Sequence, residues 1–153
     1  MSDMILLGTR KGIVIFDRIN DNWRPRPIAQ AGIPVCYSAR DARDGTLWAC
    51  LDHGHWGPKL SRSQDGGATW KEMMQIKYPE GARYIVKYLP TPDFDPESPT
   101  AQPEYADATV YKIWHIAFGS ADQPGRLYAG TIPGGLFVSD DGGDSWELNR
   151  PLW

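Results

Sequence analysis

Several patterns that mark other protein classes are missing from this chain of 153 residues. The apolar run Met4-Ile5-Leu6-Leu7 is far too short for a signal sequence or a membrane span, so we expect a cytoplasmic protein without membrane contact. The formal net charge of −3 argues against nucleic-acid binding. No helical period of useful length occurs, and no glycine-rich phosphate loop or Ser-His-Asp arrangement is evident.

Cysteine is scarce, with only two residues, Cys36 and Cys50. Without an export signal we expect both to be reduced and buried. The alternative is a disulfide, because the two cysteines could face each other across a hairpin that turns near residues 43–45.

Turn-forming and aromatic residues are plentiful, with 16 glycines, 13 prolines, 7 tryptophans and 7 tyrosines. Hydrophobic residues make up 41% and charged residues 23%, which is typical of a soluble globular domain. Many turns together with many aromatic residues predict short strands rather than long helices.

One stretch occurs twice, at Ser63–Trp70 and Ser139–Trp146, and both copies fit the template Ser-x-Asp-x-Gly-x-Thr/Ser-Trp. The aspartate should accept backbone hydrogen bonds within its own turn, and glycine should supply the positive φ of a tight hairpin. The hydroxyl groups can tie the ends of the loop, and the indole should point into the core. We therefore predict structural roles for Ser63, Asp65, Gly67, Thr69, Trp70, Ser139, Asp141, Gly143, Ser145 and Trp146.

A third, degenerate copy ends at Trp23. Trp23 follows Ile13 by ten residues, just as Trp70 follows Leu60 and Trp146 follows Leu136. Each unit reads as strand, turn, strand, loop, strand, turn and strand, and such units are typical of β-propeller blades. We predict an all-β fold, a partial β-propeller of four-stranded antiparallel blades. The expected parts are an incomplete blade at 4–28, a blade at 34–77, a proline- and acid-rich insertion at 78–111 and a blade at 112–150.

Fewer than three blades cannot close a ring, because propellers typically have four to eight blades. Two explanations stay open. The chain is a piece of a longer protein, or it closes by self-association.

The two turn sequences match the Asp-box motif, or BNR repeat, and the chain resembles sialidase-like, glycosyl-hydrolase-like propeller proteins. The stretch Gly54–Leu60, followed by the first turn, is especially similar to that group. The resemblance implies a propeller fold. It supplies no catalytic residue, because neither residues 23–27 nor residues 83–85 fit the Phe/Tyr-Arg-Ile-Pro motif of sialidases.

The face opposite the repeated turns should carry the loops between the second and third strands of each blade. Aromatic and charged residues suited to a sugar, a small polar ligand or a partner gather there. The ligand-binding candidates are Arg10, Lys11, His53, His55, Trp56, Lys59 and Glu80. His53 and His55 could face one side of an extended loop, but two histidines without a nearby Asp/Glu ligand pattern do not predict a metal site, and no cofactor is expected. Trp114 and His115 begin an inner strand, where we expect core packing.

Three functions remain possible from the sequence. The first is a scaffold that binds a carbohydrate-like ligand or a partner on the loop-rich face. The second is a glycoside hydrolase with part of its active site on absent blades, drawing carboxylates from Glu80, Asp93, Asp95, Glu97, Glu104 or Asp107. The third is a non-catalytic assembly factor.

Overall fold

The computed structural model of the chain describes residues 3–88 and 103–153. It divides into two compact units, which are treated separately below. The first unit comprises Met1–Lys77 and Val110–Trp153, and the second comprises Tyr78–Thr109. Asp93, Asp95 and Glu97, which were candidate carboxylates, lie outside the described residues.

The elements follow one another in chain order as antiparallel meanders. The first sheet consists of β1 (Met4–Thr9), β2 (Gly12–Ile19) and β3 (Asn22–Pro25). The second sheet consists of β4 (Val35–Arg40), β5 (Leu47–Asp52), β6 (Pro58–Ser63) and β7 (Lys71–Glu72), with a 3-10 turn at Gly54–Trp56. In the second unit β8 (Arg83–Tyr88) pairs with β9 (Pro103–Asp107). The third sheet consists of β10 (Lys112–Phe118), β11 (Leu127–Ile132), β12 (Gly135–Ser139) and β13 (Glu147–Leu148), and a 3-10 turn follows at Arg150–Leu152.

This architecture confirms the predicted all-β class. Within the first unit the sheets stack through their leading strands, since β1 packs on β4 and β10 packs on β4 and β5. Four-stranded meanders stacked in this way are the blades of a partial propeller. The blade boundaries themselves stay predictions.

The second sheet is the middle layer of the first unit. Five consecutive residues of β5, Leu47–Leu51, are buried. Because successive side chains of a strand point to opposite faces, burial of all five means that both faces are covered. On one face Leu47 joins Ile13 and Ile15 of β2 in a hydrophobic cluster.

The first repeated turn, Ser63–Trp70, is held by its own polar side chains. The Ser63 hydroxyl donates to Asp65 Oδ1 at 2.7 Å and accepts from the Gly67 N–H at 2.8 Å. Thr69 donates its N–H to Asp65 Oδ1 at 2.9 Å and its hydroxyl to Asp65 Oδ2 at 2.5 Å. The Trp70 indole donates to the Gly67 carbonyl at 3.2 Å. Both carboxylate oxygens of the aspartate are therefore occupied within the turn.

The second repeated turn, Ser139–Trp146, has the same bonds except that of the indole, since the buried Trp146 Nε1 has no acceptor among the described residues. The Ser139 hydroxyl donates to Asp141 Oδ1 at 2.8 Å and accepts from the Gly143 N–H at 2.8 Å. Ser145 donates its N–H to Asp141 Oδ1 and its hydroxyl to Oδ2, at 2.9 and 2.5 Å. The Ser145 hydroxyl, its N–H and the Ser139 hydroxyl together lower the pKa of Asp141 to about 2.

The two turn tryptophans are less buried than the sequence suggested. Trp70 packs against the cluster around Ile15, but it is only half-buried, as is Trp146. Each tryptophan follows the turn, directly before the short outer strand of its sheet, and is only partly covered there. Removal of either should therefore cost less than a fully buried tryptophan would.

Arginines join each sheet to the repeated turn of the next sheet. Arg26 forms two hydrogen bonds with the Asp17 carboxylate, both of 2.6 Å. Its Nη1 also donates to the Gly66 carbonyl at 2.6 Å. Arg62 on β6 likewise donates from Nη1 to the Gly142 carbonyl at 2.7 Å. The first glycine of each turn thus presents its carbonyl to an arginine of the preceding sheet.

The second glycine of each turn is a packing position. A Cβ atom at Gly67 would lie 2.2 Å from Ile15 Cδ1 in the first sheet. One at Gly143 would lie 2.9 Å from the Trp48 ring in the second sheet. The same residue type therefore supplies both the positive φ of the turn and the close approach of neighbouring sheets.

The described part of the second unit centres on one antiparallel pair of strands, β8 and β9. Arg83 lies over the Tyr105 ring at 5.4 Å and 4.0 Å from the Asp107 carboxylate, and a bulge interrupts the pairing between Ile85 and Lys87. These strands on the flanks of the insertion were not expected from its proline- and acid-rich sequence.

Candidate functional site

The sheets of the first unit have two different ends. At one end, the loop end, lie the connections at 10–11, 53–57 and 133–134, because Thr9 pairs with Gly12, Asp52 with Pro58 and Thr131 with Gly135. At the other end, the turn end, lie the two repeated turns. The candidates Arg10, Lys11, His53, His55 and Trp56 are at the loop end.

The remaining two candidates are placed differently. Lys59 on β6 forms an ion pair with Glu72 at 2.8 Å, so its charge is already partnered. Glu80 is an exposed residue of the second unit. Trp56 is 67% exposed on its 3-10 turn and meets the His55 ring edge-on at 5.2 Å.

The inner strands of the second and third sheets carry bulges at matching positions. In β4, Val35 pairs with Leu51 and Tyr37 with Cys50, which leaves Cys36 as the extra residue. In β10, Ile113 pairs with Thr131 and His115 with Gly130, which leaves Trp114 as the extra residue. A bulge redirects side chains and is common next to functional sites.

Trp114 was expected in the core, and that expectation is wrong. Its side chain is 62% exposed. The bulge is the physical reason, since the extra residue breaks the alternation that would otherwise bury every second side chain of the strand. His115, the next residue, is exposed as well.

The two bulges meet across the boundary between the sheets. The rings of Tyr37 and His115 lie 4.2 Å apart between centroids, tilted by 49°. The Cys36 thiol lies 3.2 Å from the Ile113 carbonyl of the neighbouring sheet. Beside them Lys112 Nζ lies 4.0 Å from Asp52 Oδ2. We call Cys36, Tyr37, Asp52, Lys112, Trp114 and His115 the bulge cluster.

Both cysteines are free thiols, in agreement with the preferred expectation and not with the disulfide alternative. Cys50 is buried as expected, but Cys36 is exposed at its bulge. Desolvation raises the pKa of the Cys36 thiol despite the nearby Lys112. A raised pKa leaves little thiolate at neutral pH, so this cysteine lacks the property that a nucleophile needs.

The cluster does not contain the groups that glycoside cleavage requires. That reaction uses two carboxylates placed on either side of the bond to be cleaved. The bulge cluster contains one carboxylate, Asp52, which is partnered by Lys112. Glu80, Glu104 and Asp107 are exposed residues of the second unit.

Two shallow grooves of about 250 and 240 Å³ lie at the turn end. Asp141 and Ser145 line one, and Asp65 and Thr69 line the other at equivalent positions. Hydrogen bonds inside each turn already occupy the oxygens of Asp65 and Asp141. Asp140, which is paired with Arg126, and Glu147 also line the first groove.

Over residues 3–88 and 103–153, no group of three or more histidine, cysteine, aspartate or glutamate side chains is arranged to hold a metal ion. The helical segments of that part of the chain are three-residue 3-10 turns, and none could span a bilayer.

The stacked meanders define a propeller-like fold. Among solved structures, the chain is similar to YCF48 from Cyanidioschyzon merolae, with a TM-score of 0.52 and 17% identity over 95% of this chain and 35% of the other. It is also similar to a structure of YCF48 bound to D1 peptide, with a TM-score of 0.53 and 14% identity over 97% of this chain and 36% of the other. The chain thus spans about a third of the length of these propeller proteins. At such identities the similarity concerns the fold.

No protein-family model matches the chain, and no curated protein matches it. The comparisons support a propeller-like fold without supporting a BNR or sialidase assignment, which stays a prediction.

Sequence reasoning missed the bulge cluster although a signal for it was present. In the alignment of the two complete repeats, Cys36 corresponds to Trp114, and Tyr37 corresponds to His115. Tyr37, Trp114 and His115 are large side chains with polar or aromatic character. Trp114 and His115 are consecutive, whereas strict alternation along a strand would let only one of two neighbours point outward.

Proposed function

We propose that this chain is a non-catalytic binding scaffold and that its bulge cluster holds an extended segment of a protein partner. The observation that carries the proposal is the 62% exposure of Trp114 on an inner strand. A large exposed aromatic side chain beside polar groups is a common anchor at protein interfaces.

The surroundings of Trp114 suit a peptide. The tilted Tyr37 and His115 rings provide a second aromatic surface, and the Lys112–Asp52 pair provides a donor and an acceptor beside it. Interfaces of this kind combine an aromatic anchor with a polar rim that fixes orientation.

The structure of YCF48 bound to D1 peptide supports this class of function, because a protein of similar fold binds a peptide. It favours the assembly-factor alternative over sialidase activity. Binding of a carbohydrate at Trp56 stays a prediction without such support.

A selection from a library of random displayed peptides tests the proposal. We expect clones that bind the wild-type chain and lose at least about tenfold in affinity with Trp114→Ala, as anchors do when truncated. The matched control is Trp23→Ala, because Trp23 is 42% exposed but lies on the outer strand of the first sheet. Failure to enrich any clone, or equal losses in both variants, would contradict the proposal.

The hydrolase alternative has its own readout. A non-catalytic scaffold should release no chromophore from a panel of aryl glycosides. Release that depends on Glu80, Glu104 or Asp107 would overturn the non-catalytic assignment.

A further inference from the structure

The first sheet has one apolar face that is only partly covered. Ile5 pairs with Phe16 and Leu7 pairs with Val14, so these four side chains lie on the same face of the sheet. Ile5 and Leu7 are 43% and 46% exposed. Leu6 between them points the other way and packs against the core cluster. We call Ile5, Leu7, Val14 and Phe16 the first-sheet face.

The third sheet also has a partly covered face, on β11 and β12. Tyr128 pairs with Val138 and Gly130 pairs with Leu136, so these four residues share a face. All four are half-buried, whereas Phe137, which points to the opposite face of β12, is fully buried. We call Tyr128, Gly130, Leu136 and Val138 the third-sheet face.

The second sheet shows what packs on a face of the latter kind. The residues paired there in the same register are Trp48, Cys50, Leu60 and Arg62. Arg62 donates to the Gly142 carbonyl of the third sheet, and a Cβ atom at Gly143 would lie 2.9 Å from the Trp48 ring. This face of the second sheet therefore packs against the third sheet.

The other face of the second sheet corresponds to the first-sheet face. Leu47 and Ala49 stand where the first sheet has Ile5 and Leu7, and both are fully buried in the cluster shared with β2. Within residues 3–88 and 103–153, the second sheet thus makes both kinds of contact and each outer sheet makes one. The two remaining faces are the two halves of a contact that the chain already makes twice.

The two remaining faces also match in what they lack. Val138 stands at the position that Arg62 occupies in the second sheet. The first sheet has a turn of two residues, Asn20 and Asp21, in place of a repeated turn with its glycine carbonyl. A contact between the two faces would therefore lack the donor and the acceptor of this hydrogen bond together, and leave neither unpaired.

We infer that the third-sheet face of one copy of the chain docks on the first-sheet face of a second copy, and that the reverse contact closes a ring of two. Head-to-tail contacts join different surfaces of identical chains, and they form rings when the rotation closes. Two copies bring together six sheets, a number within the range of four to eight in which propellers close. The inference does not depend on peptide binding at the bulge cluster.

The mass of the wild-type chain in solution is the first test. Light scattering coupled to size-exclusion chromatography, over a range of micromolar concentrations, should give twice the mass of one chain. The mass of a single chain throughout would overturn the inference and favour cover of both faces by further sheets of a longer protein. A mass that keeps growing with concentration would refute closure into a ring of two.

Substitutions on the two faces are the second test. Leu7→Glu places a charge in the first-sheet face, and Val138→Lys places one in the third-sheet face. Each should raise the dissociation constant at least about a hundredfold, because every contact of the ring includes one face of each kind. Met74→Glu is the matched control, since Met74 is 65% exposed just after β7 and lies on neither face. Dissociation of the control as well would show a general effect of surface charge and would refute the docking faces.

An equimolar mixture of the two variants identifies the head-to-tail arrangement. One contact of a mixed pair joins two unaltered faces, so the mixture should regain a two-chain species at concentrations where each variant alone is a single chain. If two first-sheet faces met each other instead, Val138→Lys would keep the wild-type mass and would not rescue Leu7→Glu, which would overturn the inference. Circular dichroism checks that each variant is folded, and Ile5→Glu or Leu136→Lys replaces one that is not.

The results distinguish this inference from the proposed function. A single-chain mass together with peptide binding that needs Trp114 would refute the ring and leave the scaffold proposal standing. A two-chain mass without enrichment of any peptide would do the reverse.

Discussion

Replacement of Gly67 by alanine should destabilise the protein much more than replacement of its neighbour Gly66. Both residues have positive φ, +98° and +70°, so both substitutions put a side chain into a conformation that costs about 1 kcal/mol or slightly more. The positions differ in their surroundings, because a Cβ at Gly66 has no heavy atom within 4 Å while one at Gly67 lies 2.2 Å from Ile15 Cδ1.

The additional cost at Gly67 comes from overpacking. Ile15 is 3% exposed, so its methyl group can move only by displacing other core residues. Overpacking of a core costs about 1–3 kcal/mol. We therefore expect a loss of about 1 kcal/mol for Gly66→Ala and about 3 kcal/mol for Gly67→Ala, the difference being the contact between the first and second sheets.

Urea unfolding followed by tryptophan fluorescence would measure both free energies of unfolding. Ile15→Val removes the methyl group in question and should cost about 1 kcal/mol alone. In the double variant it should recover about 2 kcal/mol of the Gly67→Ala loss, which is a coupling of the size expected for residues in contact. Equal losses at the two glycines, or no coupling with Ile15, would refute the idea that the second glycine is a packing position between sheets.

Three further predictions follow. The pKa of Asp141 is about 2 in the folded protein and about 3.9 in the unfolded chain. Its contribution to stability is therefore complete above about pH 4 and is lost as the pH falls toward 2. Asp141→Asn should weaken this dependence of the urea midpoint on acid pH. Arg62→Gln should lower the free energy of unfolding by about 1–2 kcal/mol, because it removes the hydrogen bond to the Gly142 carbonyl. Cys36 should react slowly with a disulfide reagent in the native protein, whereas Cys50 should react only after unfolding.

Each of these three has a control. Glu147→Gln changes an exposed carboxylate of the same sheet and should leave the acid dependence unchanged. Arg24→Gln changes an exposed arginine on β3. It should lower the free energy of unfolding by no more than about 0.5 kcal/mol, as is usual for a surface substitution. Reaction of both thiols at one rate in the native state would contradict the burial of Cys50.

The local parts of the structure could be predicted from sequence. The bonds that Asp65 and Asp141 accept come from residues no more than four positions away, so a short template contains all the chemistry involved. The alternation of apolar residues and the fixed interval to the tryptophans likewise predict antiparallel meanders.

The candidate site depended on information that a short window does not contain. The bulges at Cys36 and Trp114 depend on the register between two strands, and a shift of one residue changes which side chains face outward. The contact between Tyr37 and His115 joins residues from different sheets, 78 positions apart in the chain. The aligned pairs Cys36-Tyr37 and Trp114-His115 mark unusual positions in the sequence, but they contain neither the strand register nor the contact between sheets.

The arginine bonds between sheets imply that the repeats are not interchangeable modules. Gly66 and Gly142 present the same kind of carbonyl, but Arg26 reaches one from just beyond an outer strand while Arg62 reaches the other from a third strand. An engineer who duplicated or reordered single repeats would separate each carbonyl from the arginine that donates to it. Recombination should instead cut within a sheet, so that each donor travels with its own downstream turn.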